Sequence, residues 1–359
     1  MKNTVANSPD ANLADSQRAE QFAVRPAQSN AEGFEAVTDL IAVNYVSHCA
    51  CELAELGVAD VLGEEPQSAI ELAGKVGADA DALYRMLRLV ATYGVFSEGL
   101  DRRFRHSTIS RMLQSDHPQS RRDMLRIGAT RVYLRILGGL GHTLRTGRPA
   151  AEVAFPDGVF KYFAENPDEA AVFDRGMTST SHTELAAVLR AYDFSRFETI
   201  ADIGGGRGHL LEAVLDKAPH VSGVLFDLPH AVSASSAQIG RRITVQAGDF
   251  FKDPLPACDA YLLKHVLHDW SDVESIKILK SVRRAAPRRA ALLVIEAELP
   301  DEPERHPANW LDVAMLCWTS GRERTASEYA QLFATADFKL VRVIRASNEV
   351  SIFEASPNT

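Results

Sequence analysis

The stretch TIADIGGGRGHLLEAVL, Thr199 to Leu215, passes from an apolar strand pattern through four glycines in five positions into a helical pattern. Strand, bare turn and helix in that order make the first unit of an open α/β sheet, and the bare turn lets a ligand approach the backbone. A dinucleotide fingerprint would place glycines at 204, 206 and 209, but residue 209 is His209, so the phosphate-binding spacing fails. Asp202 stands at the strand end instead. A carboxylate there suits a ligand with an ammonium or sulfonium cation better than an anionic pyrophosphate.

Two more acids follow at strand ends. Asp227 closes VLFDLP about twenty residues on, where a carboxylate can accept ribose hydroxyls. Asp249 closes ITVQAGDFF and can accept from an adenine amino group while Phe250 or Phe251 covers the ring. Three carboxylates around one glycine turn describe a seat for an adenosyl ligand without phosphates.

Working outward, strand-like runs recur at TIADIG, VSGVLFDL, ITVQAGD, DAYLLKHV and RAALLVIEAEL, with helical stretches between them. This is the alternation of a parallel sheet covered on both faces. KLVRVIRA and VSIFEAS, separated by SNE, read as an antiparallel hairpin closing one edge. The expected fold is therefore α/β, with a doubly wound, mostly parallel seven-stranded sheet over residues 191–359. Residues 34–118 read as a helical, winged-helix-like domain whose wing is RRFRHSTISRML. Residues 119–190 read as a helical connector that reaches toward the acceptor pocket, and residues 1–33 as a disordered tail.

Composition narrows the function classes. The chain of 359 residues carries a formal charge of −9, which repels nucleic-acid phosphates. Arg102, Arg103 and Arg105 invite a DNA-binding reading. However, the helix from Ala80 to Tyr93 presents Leu83, Met86, Leu87, Leu89 and Val90 and leaves few polar side chains for base edges. Its apolar surface asks for protein, a second subunit. No apolar run is long enough to span a bilayer, and the N-terminus lacks the features of a secretory signal, so the expectation is a cytoplasmic protein without a membrane partner. Cys49, Cys51, Cys258 and Cys317 show no paired spacing and read as free thiols rather than metal ligands. Just past the fourth strand, LLKHVLHDWSD offers His265 and His268 as candidate general bases.

The motifs ADIGGGRGHL, GVLFDLPH, GDFF, LLKHVLHDWSD and GRERT together resemble the S-adenosylmethionine-dependent O-methyltransferases of the plant caffeic-acid and bacterial antibiotic-tailoring kind, over roughly residues 34–355. The resemblance implies S-adenosyl-L-methionine as methyl donor, lined by Gly204, Asp227, Asp249, Phe250 and Lys264, with Met177 and Ser181 closing over it. It puts the base in His-Asp-Trp, hence His268, and leaves His265 as a packed or capping residue. Glu296 and Glu323 match the family's two histidine-orienting acids, with Glu298 ranked second to Glu296. It also implies a homodimer interlocked through the N-terminal helices.

By their nearness to these motifs, Phe173, Met177, Trp310, Met315 and Trp318 are candidate walls of an acceptor pocket. Asp269 either contacts the acceptor or caps the following helix. CWTSGRERT departs from the Asn-Pro-Gly-Gly approach of plant relatives, which leaves the acceptor's identity open. The expected function is methylation of a hydroxyl on a small aromatic secondary metabolite, with N-methylation as a variant. Two other classes compete. One is an enzyme of this fold that binds the donor but hydroxylates, decarboxylates or steers pericyclic reactions, which would have no need of His268, Glu296 and Glu323. The other is a transcriptional regulator, which the acidic total and the apolar helix oppose.

Overall fold

A computed structural model describes residues 30–235 and 240–358; most of the expected tail lies outside the described residues. The chain divides into two compact units. The first comprises residues up to Leu134 together with Phe163–Thr180, and the second Arg135–Tyr162 with Ser181–Thr359. The helices between residues 119 and 190 are thus shared between the units.

In the first unit, α1 (Asn30–Glu55) starts ahead of the expected Phe34 and buries only its C-terminal half, through Val46, Ala50, Cys51, Leu53 and Ala54. Its N-terminal half leaves Phe34, Val37, Leu40, Ile41 and Tyr45 exposed. Next come α2 (Val58–Leu62) and α3 (Ala69–Val76), the latter opened by a reciprocal cap between Ser68 and Glu71. In α4 (Ala80–Thr92), Asp79 caps the first turn, and Leu83, Leu87 and Val90 recur at helical spacing on the buried face. Strands β1 (Gln67–Ser68), β2 (Phe96–Glu98) and β3 (Arg103–His106) form an antiparallel sheet in the order β1-β3-β2; of the expected wing RRFRHSTISRML only Arg103–His106 is strand, because Ser107 caps a short helix, Thr108–Arg111. The three wing arginines are engaged within the unit. Arg103 reaches the Pro66 carbonyl at 2.9 Å and Glu71 at 2.8 Å, Arg105 lies 3.6 Å from Asp101, and Arg102 covers the Tyr84 ring.

The second unit is built on seven strands in the order β6-β5-β4-β7-β8-β10-β9. Parallel pairing runs through β4 (Thr199–Ile203), β5 (Ser222–Asp227), β6 (Ile243–Ala247), β7 (Ala260–Lys264) and β8 (Ala291–Glu296). The hairpin of β9 (Phe338–Arg345) and β10 (Ser351–Pro357) adds antiparallel to β8, as the sequence led us to expect. Two buried clusters cover opposite faces. Leu292 and Val294 pack with Ile278, Leu279, Tyr329 and Phe333, while Ala291, Leu293 and Ile295 pack with Val188, Leu211, Val214 and Leu215. That two-residue alternation is the pleat of a strand buried on both sides. Every residue of β8 is buried, including its last, Glu296.

Among the described residues no helix is long and apolar enough to cross a membrane, and no cluster of His, Cys, Asp or Glu could hold a metal ion. All four cysteines are free.

Candidate active site

The glycine turn sits at the C-terminal end of β4, where parallel sheets place their ligands. Gly204, Gly206 and Gly208 all have positive φ, at 70°, 58° and 81°, a conformation that excludes most side chains. Asp202 does not face out of this turn. It is buried beneath it, close enough to Gly205 that an added Cβ would lie 2.6 Å from its carboxylate, and its Oδ2 has no partner among the described residues. Burial pushes the acid up to about 7, against the pull of Lys264 and with a further push from Asp227. A buried, underserved carboxylate below bare peptide suits a cationic ligand and penalises an anionic one.

Asp227 is tied to the same turn. Its Oδ2 accepts from the Gly206 amide at 2.8 Å and its Oδ1 from Leu228 at 2.6 Å, which orients the carboxylate and leaves lone pairs on both oxygens. Asp249 turns back on its own loop, accepting from the Phe251 amide at 2.9 Å and from Lys252 at 2.7 Å. Phe250 lies near Gly204 and meets Phe251 and Trp270 edge to face, with ring centres 4.8 Å and 6.0 Å away. Lys264, at the end of β7, donates to Ser181 at 3.1 Å and pairs with buried Glu184 at 2.7 Å. Gly204, Phe250, Asp227, Lys264 and Ser181 therefore gather at the strand ends, and their chemistry fits a positively charged nucleoside.

Beyond β7 a single turn of 3₁₀ helix, Leu267–Asp269, carries His268, which is 8% exposed. Its Nδ1 lies 2.8 Å from Oε1 of fully buried Glu323. Its Nε2 lies 3.8 Å from the half-exposed Asp269 carboxylate. Burial pulls the imidazole down, but the hydrogen bond and charge of Glu323, with Glu296 and Asp269, outweigh it and raise the group to about 9.

Glu296 reaches the turn from the end of β8. Its Oε1 accepts backbone N–H groups from Val266 at 3.0 Å, Leu267 at 2.6 Å and His268 at 3.3 Å, and its Oε2 accepts the Tyr329 hydroxyl. It orients the histidine through the main chain, not the ring, because β8 runs beside β7 and delivers its terminal side chain under the turn. Glu298 pairs instead with Arg345 at 3.0 Å. Asp269 is not the cap of the following helix, Asp272–Ala285; Ser271 is, reciprocally with Glu274.

Several residues at the site were not singled out in the sequence. Arg324, 1% exposed, donates to the Leu267 carbonyl at 3.1 Å and the Trp270 carbonyl at 2.9 Å, gripping the acceptor side of the turn whose donors Glu296 holds. Gly321 passes so close to the turn that a Cβ would strike the His268 carbonyl and the Asp269 backbone, and the Arg322 amide donates to that carbonyl at 2.8 Å. Asp312 accepts from the Glu323 amide at 2.9 Å. Only GRERT, as a motif, hinted at this cluster. Met315 and Trp318 are half-buried on the helix Pro307–Trp318, while Trp310 is 57% exposed. Phe173 and Met177 belong to the first unit, where Phe173 packs on Phe163 and Met177 is exposed.

Comparison with known proteins adds independent findings. A family model described as an O-methyltransferase domain matches residues 138–339, and one described as an O-methyltransferase dimerisation domain matches residues 38–116. The chain is 38% identical to phenazine O-methyltransferase PhzM of Lysobacter antibioticus, over 85% of this chain and 90% of the relative. Among solved structures it is similar to CalO1, a methyltransferase in calicheamicin biosynthesis in its SAH-bound form, with a TM-score of 0.83, 32% identity and coverage of 92% of this chain and 100% of that one. It is also similar to the O-methyltransferase NcsB1 from neocarzinostatin biosynthesis, in complex with S-adenosyl-L-homocysteine and 1,4-dihydroxy-2-naphthoic acid. There the TM-score is 0.72, with 31% identity and coverage of 87% and 96%.

Proposed function

Because this chain belongs to the O-methyltransferase family, we propose that it methylates a hydroxyl on a small aromatic secondary metabolite, with His268 taking the hydroxyl's proton. The observation that carries the reading is the hydrogen bond between His268 Nδ1 and buried Glu323. It fixes the tautomer with the proton on Nδ1 and leaves Nε2 as the basic nitrogen.

When bound, S-adenosyl-L-methionine supplies a methyl group already activated as a sulfonium, so the protein's work is alignment and proton removal. Gly204, Asp227, Asp249, Phe250, Lys264 and Ser181 would hold it. Asp202 beneath the turn favours a cationic centre, and the bare turn above it lets a nucleoside approach the backbone. Asp269, Met315 and Trp318 would face the acceptor, and NcsB1's naphthoic acid illustrates the size of aromatic that a relative takes.

Magnitudes favour a basic histidine. A phenol near ~10 and an ordinary imidazole near ~6.5 differ by about 3.5 units, roughly 5 kcal/mol uphill for complete proton transfer. With His268 lifted to about 9, the gap shrinks to about one unit, on the order of 1.4 kcal/mol. The cost is occupancy: near neutral pH most of the free enzyme already holds that proton, and His268 must release it before it can serve.

Residues 34–118 would form the dimerising part of a homodimer, 119–190 the connector, and 191–359 the donor-binding part. The free cysteines favour a reducing cytoplasm. The decisive experiment incubates the protein with methyl-labelled donor and extracts of its host and identifies the labelled product. A labelled methyl ether of an aromatic is expected, and absence of any methylated product, or label on nitrogen alone, would overturn the assignment.

A further inference from the structure

His265 has no part in the chemistry above, yet its setting repeats that of His268. Its Nε2 lies 2.9 Å from Oε2 of Glu184, a carboxylate only 4% exposed, just as His268 is held by buried Glu323. The two imidazole rings stand 4.9 Å apart, centre to centre, and 32° from parallel. The backbone departs from its ordinary range to achieve this: His265 has φ 52°, one of three non-glycine residues with positive φ among those described, while its amide is anchored to the Ile295 carbonyl at 3.1 Å. A non-glycine residue in that region costs about 1 kcal/mol or more and persists only when its surroundings over-determine it. With Nε2 on Glu184, Nδ1 is left buried and without a partner among the described residues.

We propose that Glu184 and His265 form a second carboxylate–imidazole pair that governs how readily His268 accepts a proton, acting through the base as positioning residues. The inference rests on the reading of His268 as the base for its consequence, but the coupling itself is a property of the two rings. An imidazolium at His265 opposes a second one 4.9 Å away, and Glu184 decides how easily the first forms. The same Glu184 oxygen also holds Lys264 at 2.7 Å, so the carboxylate balances two cationic groups at once. Against its burial, His265 and Lys264 draw Glu184 down to about 2, which keeps the charge in place through the working range.

The other charged groups facing the pair are known. Asp269 on the same turn feels both histidines. Glu296 from β8 and Glu323 from the loop before the helix Ala326–Thr335 act on His268. Asp202 from β4 faces Lys264. Of the carboxylates in this set, Glu184 is the one that holds both Lys264 and His265. Replacing it removes the anion that favours an imidazolium at His265, and with it the repulsion that such an imidazolium exerts on His268.

The experiment is an NMR titration of the full-length protein with ring-labelled histidine, the His265 and His268 signals being assigned from single-site variants. In the wild type each of these two signals should show an inflection at the other's midpoint, and His265→Asn should reduce His268 to a single step. Glu184→Gln should raise the His268 midpoint by roughly one pH unit, and Glu184→Asp should restore it. The acid limb of turnover should move with the NMR midpoint, whereas a merely structural role would lower turnover at every pH and leave the limb in place. Single-step curves in the wild type, or an unmoved His268 midpoint in Glu184→Gln, would overturn the proposal, and the wild-type curve decides even if the glutamine variant fails to fold. Full turnover in His268→Ala alongside coupled titrations would instead sink the base assignment and leave the coupling intact.

Discussion

Glu323 and His268 face each other at 2.8 Å with both side chains withdrawn from water, the carboxylate on Nδ1 and the opposite nitrogen toward Asp269. A buried anion beside a buried imidazole makes the imidazolium cheap to form, and among the groups that raise His268 this one comes first.

Removing the imidazole should separate chemistry from binding. His268→Ala is expected to retain donor affinity by calorimetry while turnover falls by about 10²–10⁴-fold, the usual worth of a general base. Glu323→Gln should cost turnover on the same scale, since the amide can no longer stabilise the imidazolium.

The proton inventory gives a direction with pH. Because His268 must be neutral to act and is raised to about 9, kcat/KM should climb with pH up to that region, with a slope of one on the acid side. In Glu323→Gln the burial of the ring is opposed only by the charges of Glu296 and Asp269, and the limb should shift lower. A wild-type profile flat from pH 6 to 9 would contradict the raised group.

Stability follows the same group with the opposite benefit. A folded value above the unfolded ~6.5 stabilises the protein fully below that pH, and the contribution is lost as pH rises through about 9. Urea unfolding should therefore show the wild type losing, between pH 6.5 and 9.5, stability of order 3 kcal/mol more than His268→Ala loses over the same interval.

Gly321 tests the main-chain clamp. Its approach to the His268 carbonyl leaves no room for a methyl, so Gly321→Ala must displace the turn, at a cost of about 1–3 kcal/mol or more. Thermal unfolding should register that loss. Donor affinity should be nearly kept while turnover drops, because the glycine turn and Asp227 lie on other strands.

The N-terminal helix should carry the subunit contact. Leu40 and Ile41 are 61% and 62% exposed on an apolar stretch of α1 within the matched dimerisation domain. Light scattering should give twice the chain mass for the wild type, and Leu40→Glu with Ile41→Glu should shift it toward the monomer.

What the sequence determined by itself was whatever is local or periodic: the strand–glycine–helix unit at Thr199–Leu215, the alternation that requires a doubly wound sheet, the hairpin at its edge, and the motif placing His268 after the fourth strand. These follow from the two-residue pleat, the helical repeat and the conformations open only to glycine. The tertiary structure alone decided which acid touches which group. Glu296 and Glu323 looked equivalent along the chain. Parallel pairing of β7 with β8 brings Glu296 to the amides of the turn and leaves the ring to Glu323. Likewise Glu184, unremarked in the sequence, meets Lys264 and His265, which lie 80 and 81 residues further along the chain. Long-range electrostatic partners depend on distances of a few ångströms set by the packing of separate elements, and no spacing along one chain encodes them.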